Sequence, residues 1–175
     1  MTTLLTSMVG SPVLGQTDRV EPLACSAGMA STGIALTANS AYMLLVRVTK
    51  ATTVTKLSCY TSAATTSIDM SIMSAAYVEL AGLSAKFLAT AGGLSTGTLT
   101  AAFTYQPGID YYHVIVPDTS VSVVRGYTGV AVILNAGTGA GTQQSLVKAV
   151  AQDTVPSSIA TPSTSAAGLW IVGHN

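Results

Sequence analysis

Charge is what this sequence has least of. Seven Lys and Arg and seven Asp and Glu occur among 175 residues, 8% charged, where average proteins carry roughly 25%. The formal net charge is +0. The cations Arg19, Arg47, Lys50, Lys56, Lys86, Arg125 and Lys148 are scattered. They make no basic stripe to neutralise phosphates, so nucleic acid is not an expected partner. Long apolar runs are missing too. A membrane-spanning helix needs about 20 mostly apolar residues. The best runs, Ala41 to Val48 and Tyr127 to Ala136, are strand length and carry Arg47 and Gly129. Met1 to Val9 holds no Lys or Arg and so lacks the charged start of a secretory signal. The chain is expected to be soluble, made in the cytoplasm, without a membrane partner.

Histidine and cysteine are as scarce. Cys25 and Cys59 are not spaced as a metal site, which needs short paired spacings and more ligands. They read either as two buried free thiols or as one disulfide. His113 sits in a strand-like run beside Tyr112 and Val114 and reads as a packed or surface strand residue. His174 is penultimate and reads as loose. The acids Asp18, Glu21, Asp69, Glu79, Asp110, Asp118 and Asp153 are isolated from one another. No spacing marks a carboxylate pair for glycoside hydrolysis or a calcium loop. Asp118, in Pro-Asp-Thr-Ser, reads as a turn residue. No Gly-x-Ser-x-Gly elbow and no His-Glu-x-x-His helix occurs. Gly92-Gly93 and Gly137 to Gly141 lack the Lys-Ser/Thr or the βαβ setting of phosphate loops and read as turns. No catalytic, cofactor-binding or metal residue is therefore expected, no cofactor is expected, and the chain is not expected to be an enzyme.

Apolar residues are plentiful, at 49%, enough for the core of one domain. Their periodicity is that of strands. Ala41 to Val48 is apolar on both faces and reads as a doubly covered strand. In Thr53 to Tyr60, Thr55, Leu57 and Cys59 alternate with Val54, Lys56, Ser58 and Tyr60. Ile68, Met70 and Ile72 alternate with Ser67, Asp69 and Ser71, the pattern of a strand with one dry and one wet face. Tyr77 to Ala81 and Ala85 to Thr90 are weaker strands, with a short helix over Ala75 to Leu88 as the alternative. Asp110 to Val116, Val121 to Val124, Val130 to Leu134 and Leu169 to Val172 complete the strand set. Gly92 to Pro107 suits a crossing connection of Greek-key type. Ser145 to Ala151 is ambiguous, and Pro156 to Ala167 reads as extended over a surface. Pro107-Gly108 and Pro117-Asp118 are turn signals. Residues 1–33 are broken by Gly and Pro yet keep apolar pairs such as Leu4-Leu5 and Val13-Leu14. They read as an extended N-terminal arm before a domain at 34–175.

This spacing of short strands predicts an all-β, antiparallel β-sandwich. A charge-poor surface of this kind self-associates unless covered, which points to sister copies or a partner. Tyr42, Tyr60, Tyr77, Tyr105, Tyr111, Tyr112, Tyr127 and Trp170 either complete the core or offer stacking faces to a host glycan.

Three stretches carry a resemblance: Thr53-Val54-Thr55-Lys56-Leu57-Ser58-Cys59-Tyr60, Leu83-Ser84-Ala85-Lys86-Phe87-Leu88-Ala89-Thr90, and Gln106-Pro107-Gly108-Ile109-Asp110-Tyr111-Tyr112-His113-Val114-Ile115-Val116. With the Ser/Thr/Ala bias between them, residues 35 to 135 resemble the small β-sandwich domains of tailed-bacteriophage virion proteins. The resemblance implies a jelly-roll-like sandwich, a homo-oligomer with a trimer favoured, and a place on the virion. It implies contact with the major capsid protein or another virion protein. The absence of a shaft favours a capsid decoration protein over a tail fibre or receptor-binding appendage. The pattern defines no ligand residue, and none is carried over.

Overall fold

The computed structural model describes residues 19–21, 32–61, 67–90, 93–119, 123–128, 145–165, 167–169 and 171–175. Among them there are thirteen strands and no helix. In chain order these are β1 (Thr32–Ala35), β2 (Ser40–Arg47), β3 (Thr52–Thr61), β4 (Ser67–Ser74), β5 (Glu79–Gly82), β6 (Phe87–Leu88) and β7 (Gly93–Tyr105). Then follow β8 (Asp110–Pro117), β9 (Val123–Thr128), β10 (Ser145–Ala149), β11 (Ser163–Thr164), β12 (Ala167–Leu169) and β13 (Ile171–His174). The chain is an all-β sandwich of two antiparallel sheets. The first runs β1-β9-β3-β13, with β7 on β3 and β12 on β9. The second runs β11-β10-β2-β8-β4-β5, with β6 on β4.

Three pairings nest inside one another: β2 with β8, β3 with β7, and β4 with β5 and β6. Successive pairs alternate between the sheets, so one long hairpin winds around the core as in a jelly roll. The turn at its β7–β8 corner follows from Pro107-Gly108. Ile109 N donates to Gln106 O, and Gly108 has φ +77°, the position of a type II turn that suits glycine.

The inner core lies between the sheets. Leu44 and Val46 of β2, Ile68, Met70 and Ile72 of β4, and Ile115 of β8 face Val54, Leu57 and Cys59 of β3 and Ile171 of β13. Burying each such side chain contributes about 1.5–3 kcal/mol. A second cluster lies on the far side of the second sheet. It joins Ala41, Met43, Leu45, Met73, Tyr112, Val114, Val116 and Leu146 to Val155 and Ile159. This explains why β2 is apolar on both faces.

Several expectations change on folding. The expected wet face of β4 is wet only in part: Ser67 and Asp69 are half-buried, and Ser71 is fully buried. The alternation in β3 breaks between Val54 and Lys56, where the register with β7 shifts. Val54, Leu57 and Cys59 therefore share the core face, and Thr55 does not join them. Gly92 to Pro107 is not a free connection; residues 93–105 form the longest strand, β7. The weaker strands expected at Tyr77 to Ala81 and Ala85 to Thr90 are present as β5 and β6, and the alternative helix is not formed. Ser145 to Ala151 resolves into the ladder strand β10. The expected strand at 130–134, the glycine loop at 137–141 and Cys25 lie outside the described residues.

Two described parts of the expected arm belong to the first sheet. Val20 is buried in the inner core and exchanges two backbone hydrogen bonds of 2.9 Å with Gly173 of β13. Thr32 and Gly33 open β1.

β7 also closes the sandwich at one side. Leu99 bridges to Leu83, and Ser84 N donates to Thr98 O at 2.9 Å. Gly97 makes room for this approach. A Cβ there would stand 2.5 Å from Leu83 Cδ1 and 2.9 Å from Phe87 Cδ1. Gly97→Val is expected to overpack the site and cost about 2 kcal/mol in urea unfolding. Thr98→Val, at the exposed neighbour, is expected to change stability by less than about 0.5 kcal/mol.

Candidate functional site

Three places gather chemistry-bearing side chains. The first is internal. His113 of β8 is fully buried and connects the two sheets. Its Nδ1 lies 2.9 Å from Ile171 O and its Nε2 lies 2.6 Å from Tyr105 Oη. A carbonyl only accepts, so Nδ1 carries the proton. Nε2 then accepts, and Tyr105 donates. Burial holds His113 at a pKa of about 4, only partly offset by the bond to Ile171. It pushes the Tyr105 phenol well above its ordinary value. Tyr105 also packs edge-on against Phe103 and Tyr111, with centroids 5.0 and 5.2 Å away. This is a packed strand histidine, and no solvent reaches it. Cys59 is likewise a free, buried thiol, pushed up to about 12 by desolvation, and so no nucleophile at neutral pH.

The second place is the outer side of the first sheet. Leu94, Thr96, Thr98, Thr100 and Thr104 of β7 are exposed in a row. Thr104 and Thr53 hydroxyls meet at 2.8 Å. Ser58 Oγ lies 2.7 Å from both Thr96 Oγ1 and His174 Nε2, and His174 Nδ1 donates to Asn175 O at 2.9 Å. His174 is therefore held in β13 and is not loose. Ser58 beside an oriented histidine has the order of a nucleophile and its base. But Ser58 has no exposed surface, and its oxygen is shared with Thr96, so the pair serves as a strand-to-strand tie.

The third place is a strap, residues 150–162, laid over the second sheet. Val155 and Ile159 plug the outer cluster. Backbone bonds tie the strap to β5 and the turn before it: Glu79 N to Ser157 O and Ile159 N to Tyr77 O, both 2.9 Å. Side chains add two more ties. Asp69 Oδ2 accepts from Val155 N at 2.8 Å, and Lys86 Nζ pairs with Asp153 Oδ2 at 2.5 Å. Folding thus assembles Asp69, Glu79, Lys86 and Asp153, which are scattered in sequence. Only the β4–β5 hairpin and the return of the strap bring them together. Asp118 acts across a gap as well. It accepts from Ser67 N at 3.0 Å and so joins the end of β8 to the start of β4. That is a bond to another strand; the rest of its own turn, from Ser120, lies outside the described residues.

The tyrosines mostly complete the core. Tyr42, Tyr105, Tyr111 and Tyr112 are buried, whereas Tyr60 and Tyr77 are half-buried. The Tyr127 and Trp170 side chains lie outside the described part. Among the described residues no helix is long and apolar enough to cross a membrane. No family model matches the chain, and no curated protein matches it.

Proposed function

We propose that this protein is a structural assembly protein whose work is to bury surface against sister copies and a larger particle. The setting we propose is the one its resemblance implies, a capsid decoration protein on a tailed-phage virion. The observation that carries the reading is β7. It is 13 residues long and contains no charged residue. Among the described residues it has a strand ladder on one side only, with β3. Among the described residues its other side makes one backbone bridge, Leu99 to Leu83, and further bonds from Ser84 to Thr98, from Thr100 to Gly82 and from Thr90 to Ser95. Sheet edges left free in natural proteins are blunted by Lys, Pro or bulges. A long edge without charge is suited to pairing with another chain, and burying it removes no ion from water. The strap covers the outer apolar cluster of the second sheet, and among the described residues the outer row of β7 on the first sheet is exposed.

The test is oligomeric state together with location. Wild type is expected to form a discrete oligomer by light scattering at tens of micromolar. Thr96→Lys combined with Ala102→Lys is expected to give a folded monomer. Cryo-electron microscopy of purified virions is expected to place the protein on the capsid lattice. A wild-type monomer absent from virions would end this reading. Density confined to a tail tip would move the assignment to a receptor- or glycan-binding appendage, for which half-buried Tyr60 is the first residue to replace.

A further inference from the structure

The strap seals a polar niche against the second sheet. Asp69 and Ser71 of β4 alternate with the core residues Ile68, Met70 and Ile72, and so face the strap together with Met73. Ser71 pairs with Gly82 of β5. The Glu79 carboxylate folds back over this glycine, its Oε1 2.5 Å from where a Cβ would stand. Gly82 thus leaves space for a carboxylate beside Ser71. Strap residues 155–157 run between Asp69, which holds Val155 N, and Glu79, whose N–H holds Ser157 O. Beneath them Ser71 Oγ is fully buried and has no hydrogen-bond partner among the described residues. Such an orphan is costly, and it signals a group that completes the site.

The charges are unbalanced in one direction. Among the described residues Lys86 is the cation that acts on Asp69, and it is already engaged by Asp153, whereas Glu79 is acted on by Asp69. Three negative charges against one positive leave a net −2 when all are ionised. Burial raises the Asp69 and Glu79 carboxyls above their ordinary values, and their mutual repulsion raises Glu79 further.

We propose that Asp69, Ser71 and Glu79 form a cation site beneath the strap, taking a hard divalent ion of the calcium class and fastening the strap to the sheet. The donors are all oxygens, the ligands such ions prefer. Calcium accepts six to eight of them in irregular geometry, so backbone carbonyls and waters complete the shell. Among the described residues no three His, Cys, Asp or Glu side chains converge. With two carboxylates and a hydroxyl the site belongs to the weak class, with a Kd of about 10⁻⁴–10⁻³ M. Sequence spacing gives no sign of it, because the two carboxylates come from different strands of a hairpin.

The test uses calcium chloride with the intact chain. Calorimetric titration is expected to show one site per chain. Thermal unfolding in 10 mM CaCl₂ is expected at a Tm about 3 °C above that in NaCl of equal ionic strength, with a smaller shift in MgCl₂. Glu79→Gln and Ser71→Ala are each expected to weaken binding at least tenfold. Glu79 is partly exposed, so its variant folds and remains informative. Equal Tm values in CaCl₂ and NaCl overturn the proposal, and Ser71 is then met by water alone. A full calcium response in Glu79→Gln also overturns it, since the ion then sits elsewhere.

Discussion

Replacing His113 with Leu is expected to destabilise the sandwich by about 3 kcal/mol, although Leu fits the apolar surroundings in size and hydropathy. The loss is that of its partners. Tyr105 Oη and Ile171 O each lose a hydrogen bond inside the core. A buried polar group left unpaired costs about 1–3 kcal/mol. His113→Gln is expected to cost less, because an amide both donates and accepts. Adding Tyr105→Phe to His113→Leu removes one orphan and is expected to recover part of the loss. A double-mutant cycle by urea unfolding reads this directly. If His113→Leu is as stable as wild type, the inter-sheet tie is worth nothing.

The same residue sets an acid limit. In the unfolded chain His113 titrates at its ordinary 6.5, and in the fold at about 4. Between those values the unfolded state binds more protons, so stability rises with pH across the window. The contribution of neutral His113 is complete above about pH 6.5 and lost progressively as pH falls to about 4. It amounts to about 3 kcal/mol over the full window. Asp69 and Glu79 act in the opposite sense, since their raised values favour the folded state as they take up protons. They offset part of the loss at the acid end. His113→Gln is therefore expected to remove the rise of stability with pH that His113 contributes between about pH 4 and 6.5, leaving the opposite contribution of the two carboxyls.

The strands were legible where apolar residues run at strand length between turn signals. Ala41 to Val48 and Asp110 to Val116 are β2 and β8 almost residue for residue. The sandwich class follows from these and from the turns between them. What failed depended on non-local partners. Asp69 and Ser71 look wet because water is the natural partner of such residues, whereas Ser71 is fully buried and Asp69 is half-buried with a bond from Val155 N. The Thr-rich run after Gly93 looks like a connection because its outward residues are small and polar. Its inward residues Leu99 and Tyr105, together with the ladder to β3, make it a strand. The bulge beside Thr55 leaves no signature in composition. The buried role of His113 was within reach, since a lone histidine between Tyr112 and Val114 has few ways to be satisfied. That it reaches a carbonyl on β13 required the fold.

Ile159→Asp is expected to peel the strap from the second sheet. Ile159 is 5% exposed and lies in the cluster with Met43, Leu45, Met73, Tyr112, Val114 and Val116. A carboxylate there either loses its hydration or leaves, and leaving costs less than burying an unpaired ion. The expected loss is about 3 kcal/mol. The inner core is a separate cluster, and the amides of β2, β4 and β8 remain in their ladders. The variant should therefore keep its strands while exposing a broad apolar face. Dye binding by 1-anilinonaphthalene-8-sulfonate and concentration-dependent association are the readouts, since such faces mark interaction or aggregation sites. Hydrogen exchange should quicken at 150–162 and stay slow in β2 and β8. Ser158→Asp, at an exposed neighbour on the same strap, is expected to leave all three unchanged. If Ile159→Asp instead unfolds the whole chain in one step, the two apolar clusters form a single cooperative unit, and the strap is as much a part of the sandwich as any strand.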